Sequence, residues 1–158
     1  MQYAALASGS KGNCHAFTSG GRTFLIDAGI NLKQIRLRME KLGLDPDAVE
    51  AVAFTHEHSD HIGALPVLLR RTDWVFLLTP ETRIAVEACL QIQIPAHRWV
   101  PLKAGRNQVW QGWTLHPFSL PHDAADPVAF RVERGGLAAA VVTDLGHPSA
   151  LVAECCSD

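Results

Sequence analysis

Residues 50–69 read Glu50-Ala51-Val52-Ala53-Phe54-Thr55, then His56-Glu57-His58-Ser59-Asp60-His61, then Ile62-Gly63-Ala64-Leu65-Pro66-Val67-Leu68-Leu69. The first six residues are mostly apolar and few, the pattern of a buried strand, and the last eight read as the start of a helix. Between them three imidazoles and two carboxylates fall within six positions, a density that no other stretch of the chain matches. Neutral imidazole nitrogen and carboxylate oxygen are the ligands that Zn²⁺, Mn²⁺ and Fe²⁺ accept. In an extended or turning segment His56 and His58 project to one side, while Asp60 and His61 fall one turn later and can face a second ion. A lone histidine is more often a hydrogen-bonded or surface residue than a ligand. Three in six positions reverse that expectation, and the carboxyl end of a strand is where open α/β architectures place ligands.

Short apolar segments and turn signals organise the rest. Tyr3 to Ala7, Ala16 to Ser19 and Thr23 to Ile26 read as consecutive antiparallel strands, with Gly20-Gly21 as a hairpin turn between the last two. Leu32, Ile35, Met39 and Leu42 recur at helical spacing among Lys33, Arg36, Arg38, Glu40 and Lys41, and Gly43 ends the run. A second helix follows the histidine cluster to about Arg71, Trp74 to Leu78 reads as a strand, and Thr79-Pro80-Glu81 opens a third helix through Leu90. Beyond it Gln108 to Trp110, Trp113 to Leu120, Val128 to Glu133 and Ala138 to Thr143 form a β-meander punctuated by Gln111-Gly112 and Gly135-Gly136. The sum is two layers of sheet flanked by helices.

His-x-His-x-Asp-His after a buried strand resembles the signature of metallo-β-lactamase-fold hydrolases. Ser8-Gly9-Ser10-Lys11-Gly12-Asn13-Cys14, Ile26-Asp27-Ala28-Gly29, His122-Asp123-Ala124-Ala125-Asp126-Pro127 and Thr143-Asp144-Leu145-Gly146 follow in the order expected of the YycJ/WalJ branch, which is associated with cytoplasmic double-stranded-DNA exonucleases. The resemblance implies an α/β fold of the αββα sandwich type, C-terminally short, with residues 1–158 as one domain whose second half is incomplete. Longer members carry a late Gly-His-Leu-Ser-like motif whose histidine completes the second metal site. This sequence carries no such motif and runs to Leu151-Val152-Ala153-Glu154-Cys155-Cys156-Ser157-Asp158, similar to the family's next strand end, so the chain is expected to be a natural short form or a fragment.

Carried over residue by residue, the resemblance assigns His56, His58 and His122 to one metal, Asp60 and His61 to a second, and Asp144 to a bridging position. Two divalent ions, Zn or Mn and alternatively Fe, are the implied cofactors. The second site is one ligand short: water, a histidine from a partner chain in a homo-oligomer, or His147 would fill the gap, and a weak site is the preferred reading. Taken alone, His122 is an ordinary loop histidine and Asp144 a turn cap, although a buried carboxylate without a basic partner is costly unless cations compensate it. Asp27 is expected to orient a metal-bound histidine from behind. The Ser8 to Asn13 loop offers glycines, hydroxyls and N–H groups, and Ser8, Ser10 and Asn13 are candidate phosphate contacts; the same loop also reads as a plain turn.

Composition bounds the function more loosely. At 158 residues, 47% hydrophobic and 19% charged, the chain has the make-up of a soluble globular protein of about one domain. A net charge of −2 argues against a strongly electropositive nucleic-acid binder but is compatible with a local basic groove. Arg36-Arg38-Lys41, Arg70-Arg71 and Arg131-Arg134 are the basic clusters available to a phosphate backbone, each equally a solvated face. Four cysteines without Cys-x-x-Cys spacing suit reduced thiols in the cytoplasm, and no apolar run reaches the roughly 18 to 20 residues needed to cross a bilayer. The expected activity is metal-dependent hydrolysis, with a DNA phosphodiester as the leading substrate, a 5′–3′ exonuclease as the family reading, and Asp60 or Asp144 as proton acceptor. The alternatives are an ester, thioester or lactam hydrolase of the same fold, and an inactive truncated metal-binding protein.

Overall fold

A computed structural model describes residues 1–146 and 150–156, apart from the side chain of Leu151. Its first sheet has six strands in the order β1 (Gln2–Ala7), β2 (Cys14–Ser19), β3 (Arg22–Ile26), β4 (Val49–Ala53), β5 (Val75–Leu78) and β6 (Trp99–Pro101). β1, β2 and β3 pair antiparallel, whereas β3 to β6 run parallel. Helices cross over between the parallel strands, as parallel pairing requires: α1 (Leu32–Lys41) leads to β4, α2 (Ser59–Ile62) and α3 (Leu65–Arg71) to β5, and α4 (Pro80–Leu90) to β6. The second sheet is an antiparallel meander of β7 (Gln108–Trp110), β8 (Trp113–Ser119), β9 (Val128–Arg134) and β10 (Leu137–Val141). α5 (Ala150–Cys156) is the last element.

Strand alternation sorts the side chains into three apolar layers. Leu25, Val52, Phe54 and Phe76 face the helices and meet Ile35, Met39, Leu65 and Val86. Phe24, Ile26, Ala51, Ala53 and Leu77 point the other way, against Trp113, Leu115, Phe130 and Val132 of the second sheet. On the outer face of that sheet Phe118, Leu120 and Ala129 pack with Val152 of α5. Helices, sheet, sheet, helix is the αββα order. Residues 151–156, expected at a strand end, are instead this covering helix. The second expected helix is broken near Gly63, where an added Cβ would lie 2.9 Å from the Ser59 carbonyl and 3.2 Å from that of Gly29. No helix among the described residues is long and apolar enough to cross a membrane.

Candidate metal centre

Backbone pairing at one end of the sandwich brings three loops together. Asn13 N donates to Asp60 O (2.7 Å), Gly29 N to Asn13 O (2.8 Å), and Ala28 N to His61 O (2.7 Å). The contact is so close that a Cβ on Gly29 would overlap the Asp60 carbonyl, which is why only glycine fits there. Asp27, just past β3, takes a left-handed φ of 59°, and its N–H donates to Ala53 O at the end of β4 (2.8 Å). That turn aims the carboxylate across the strand end.

The Asp27 carboxylate is fully buried and its partners define the site's protonation pattern. Oδ1 accepts from Thr55 N (2.9 Å), the Thr55 hydroxyl lies 2.9 Å from Oδ2, and His61 Nδ1 lies 2.8 Å from Oδ2. An ionised carboxylate only accepts, so the Thr55 hydroxyl and His61 Nδ1 both donate to it. With its single proton committed, Thr55 Oγ1 accepts from His56 Nδ1 at 2.9 Å. Both histidines are thereby held with Nδ1 protonated and Nε2 facing the cleft. His56 Nε2 is buried and has no hydrogen-bond partner among the described residues, which suits an atom that coordinates a cation. Burial first, and then the neighbouring imidazoles, push the His56 pKa down to about 4, so the ring is neutral at pH 7.

Four rings converge at this point. His56 lies 4.5 Å from His58, 4.1 Å from His61 and 4.8 Å from His122, centroid to centroid, and His58 lies 4.9 Å from His122. His122 arrives from the loop after β8, which is pinned from two sides: Ala125 N donates to Glu57 (2.8 Å) and the Thr82 hydroxyl to Asp126 O (3.2 Å). Val128 N donates to Thr55 O (3.0 Å), tying the second sheet to the strand end that carries the histidines. The ligand atoms of His56, His58 and His122 form one set within 4.8 Å of one another, and those of His56, His61 and Asp144 form another.

Asp144 follows β10 in a left-handed conformation (φ 55°) and places Oδ2 2.9 Å from His61 Nε2. Asp60 Oδ2 stands 3.5 Å from the same nitrogen. Burial opposes charge on His61, but its bond to Asp27 and the fields of Asp60 and Asp144 prevail and raise its pKa. Three carboxylates around one imidazole make this half of the cleft favourable to positive charge.

The structure thus brings His56, His58, His61, His122, Asp60, Asp144 and Asp27 to one place. His56 belongs to both three-ligand sets rather than to the first metal alone, whereas Asp60 joins neither at that distance. His147 lies outside the described residues. Asn13 does not project to solvent as a phosphate contact does: it is 5% exposed, its Nδ2 is 3.3 Å from Asp60 Oδ2 and 3.0 Å from His61 Nε2, and its Oδ1 accepts from Gly9 N. Thr55 escaped sequence reasoning. Its one signal there is a hydroxyl at a strand end directly before the first histidine.

The donor set fits a divalent cation: converging imidazoles, an orphaned buried Nε2 on the neutral His56 ring and converging carboxylates. The family model of the Metallo-beta-lactamase superfamily matches residues 7–149. Exodeoxyribonuclease YycJ of Bacillus anthracis is 30% identical over 149 residues, and exodeoxyribonuclease WalJ of Streptococcus pneumoniae 28% identical over 150. Each alignment covers 94% of this chain and 56% of the relative, so the chain spans little more than half the length of these relatives. Among solved structures, a Cronobacter sakazakii metallo-β-lactamase with a HARLDQ motif superposes with a TM-score of 0.71 at 18% identity, over 94% of this chain and 64% of that one. At that identity the likeness shows the fold alone. The matched length and the sandwich together establish that this chain belongs to the metallo-β-lactamase superfamily.

Proposed function

We propose that the chain is a metal-dependent hydrolase acting on the phosphodiester bonds of DNA, as an exonuclease, with residues 1–158 forming one domain. The observation that carries the metal reading is the unpartnered, buried Nε2 of His56 at the meeting point of His58, His61 and His122. DNA as substrate is supported by the exodeoxyribonuclease names of the two relatives.

His56, His58 and His122 would hold one divalent ion, Zn²⁺ or Mn²⁺, and Asp60, His61 and Asp144 a weaker second one. When bound, such ions supply a hydroxide-like nucleophile at neutral pH and neutralise charge developing on the phosphoryl oxygens. The protein's own groups do the rest. Asp27 Oδ2 retains the Nδ1 proton of His61, and Thr55 Oγ1 retains that of His56, which keeps both Nε2 atoms directed into the cleft. The Asp60 and Asp144 carboxylates are placed to accept a proton at Oδ2. The apolar layers on either side, with Phe54 and Phe130 fully buried, hold the loops in register.

Metal analysis joined to an exonuclease assay on linear duplex DNA tests this. Wild type should bind at least one equivalent of Zn²⁺ or Mn²⁺ and shorten the duplex, and His58→Ala should lose both properties. Full metal content with cleavage of a chromogenic cephalosporin or thioester, and none of DNA, would replace the substrate class. Metal-free wild type, or cleavage unaffected in His58→Ala, would refute the reading.

A further inference from the structure

We infer that the β1–β2 loop is a phosphodiester cradle, in which Ser8, Ser10, Lys11 and Arg38 hold the backbone of a nucleic-acid strand beside the metal centre. This rests on the hydrolase reading above and names how its substrate is gripped. The loop borders a cavity of about 350 Å³ lined by these four residues with Gly9 and Gly12, and no carboxylate contributes to the lining. Lys11 has no ion-pair partner among the described residues, and neither serine hydroxyl has a hydrogen-bond partner there. Arg38 enters from α1 and is fixed by donating Nη1 to Leu6 O (2.7 Å), which leaves further guanidinium N–H groups for an anion. Its neighbour Arg36 is paired with Asp47 (2.7 Å), so Arg38 is the cation that α1 supplies to this cavity.

The loop's shape suits the task. Gly9 and Gly12 take φ of 136° and 141°, values that side-chain-bearing residues rarely adopt, and the turn between them exposes backbone at Ser10 and Lys11. Successive N–H groups in such a concavity bind phosphate oxygens. The cradle is also rigidly referenced to the metal loop. Asn13 clamps Gly9 through both ends of its amide (3.0 and 3.3 Å) while contacting Asp60 Oδ2 (3.3 Å) and donating its own N–H to Asp60 O (2.7 Å). Two cations and a few hydroxyls recognise the repeating backbone rather than a base, which suits an enzyme that moves along DNA without regard to sequence.

Fluorescence anisotropy of a labelled DNA duplex in EDTA, where no cleavage occurs, tests the cradle. Lys11→Ala with Arg38→Gln should weaken binding by roughly tenfold and lower the slope of log affinity against log salt by about 1 to 2. Lys11→Arg should restore most of the Lys11 contribution, and Lys103→Ala, the charge loss of Lys11→Ala placed outside the cavity, should bind as wild type. Unchanged affinity and slope in the double variant, equal weakening by Lys103→Ala, or no DNA binding by wild type would each overturn the cradle. Urea midpoints confirm that the variants fold. Inorganic phosphate binding as tightly as the duplex would reassign the cavity to the free anion and overturn the nucleic-acid assignment. A wild type that grips DNA through Lys11 and Arg38 yet never hydrolyses it with Mn²⁺ would refute the hydrolase reading and leave the cradle standing.

Discussion

Gly29→Ala isolates the contact on which the metal loop depends. The new methyl would overlap both the oxygen and the carbon of the Asp60 carbonyl and come 2.7 Å from Asn13 N. All three are backbone atoms, so no rotamer change relieves the clash, and the segments must separate by an ångström or more. Separation breaks Asn13 N to Asp60 O (2.7 Å) and Gly29 N to Asn13 O (2.8 Å). Leaving those buried groups unpaired costs about 1–3 kcal/mol each, and overpacking adds about 1–3 kcal/mol. The total, roughly 3–9 kcal/mol, is a large share of the 5–15 kcal/mol that typically holds a domain together. With a urea m-value of about 2 kcal/mol/M, the midpoint should fall by about 1.5 M or more. Gly43→Ala is the control: its φ is 71° but its surroundings are open, so it should cost only about 1 kcal/mol of backbone strain. Gly29→Ala lying within about 1 kcal/mol of wild type, or no worse than Gly43→Ala, would refute the close-approach argument.

Two further outcomes follow from individual contacts. Asp27→Asn keeps the shape and tolerates the left-handed φ of 59°, but should lower Zn²⁺ affinity about 10- to 100-fold; competition against a chromophoric chelator measures it, and wild-type affinity would count against the orienting role. Glu87 accepts from Ile94 N (2.8 Å) and Arg83 Nε (2.9 Å), and although burial works against its charge, these partners hold its pKa below 4.5. A depressed carboxylate stabilises the fold above its unfolded pKa and loses that effect as pH falls through the folded one. Glu87→Gln should therefore lower stability by about 0.5–1 kcal/mol at pH 7, with the gap to wild type closing as pH falls below 4.5 in urea titrations.

Periodicity and punctuation reveal most of the architecture because those signals are local. Thr79-Pro80-Glu81 opens α4 where expected, with the Thr79 hydroxyl accepting from Thr82 N (3.3 Å). β6 is different: three residues ending in Pro101 carry no alternation to detect, and only parallel pairing with β5 makes them a strand. α5 is expected as a strand end on family likeness, whereas its buried Val152, packed with Phe118 and Leu120, serves a helix lying on the outer face of the sheet.

The same division runs through the candidate metal centre. The type of a candidate ligand is a local property, and His56, His58 and His61 announce themselves by spacing. Ligand orientation is not local, because a single buried carboxylate sets two tautomers at once, one directly and one through the Thr55 hydroxyl. That arrangement requires the ends of β3 and β4 to be neighbours, Asp27 to turn left-handed, and Val128 to lock the second sheet onto Thr55. Asn13 depends on the fold still more, since its amide reaches from Gly9 to an aspartate 47 positions away in the chain. A glycine-serine loop therefore reads as a plain turn until the fold brings it against Asp60. Once there, one side chain couples the geometry of the proposed phosphate cradle to that of the metal loop, so displacing either should be felt at the other.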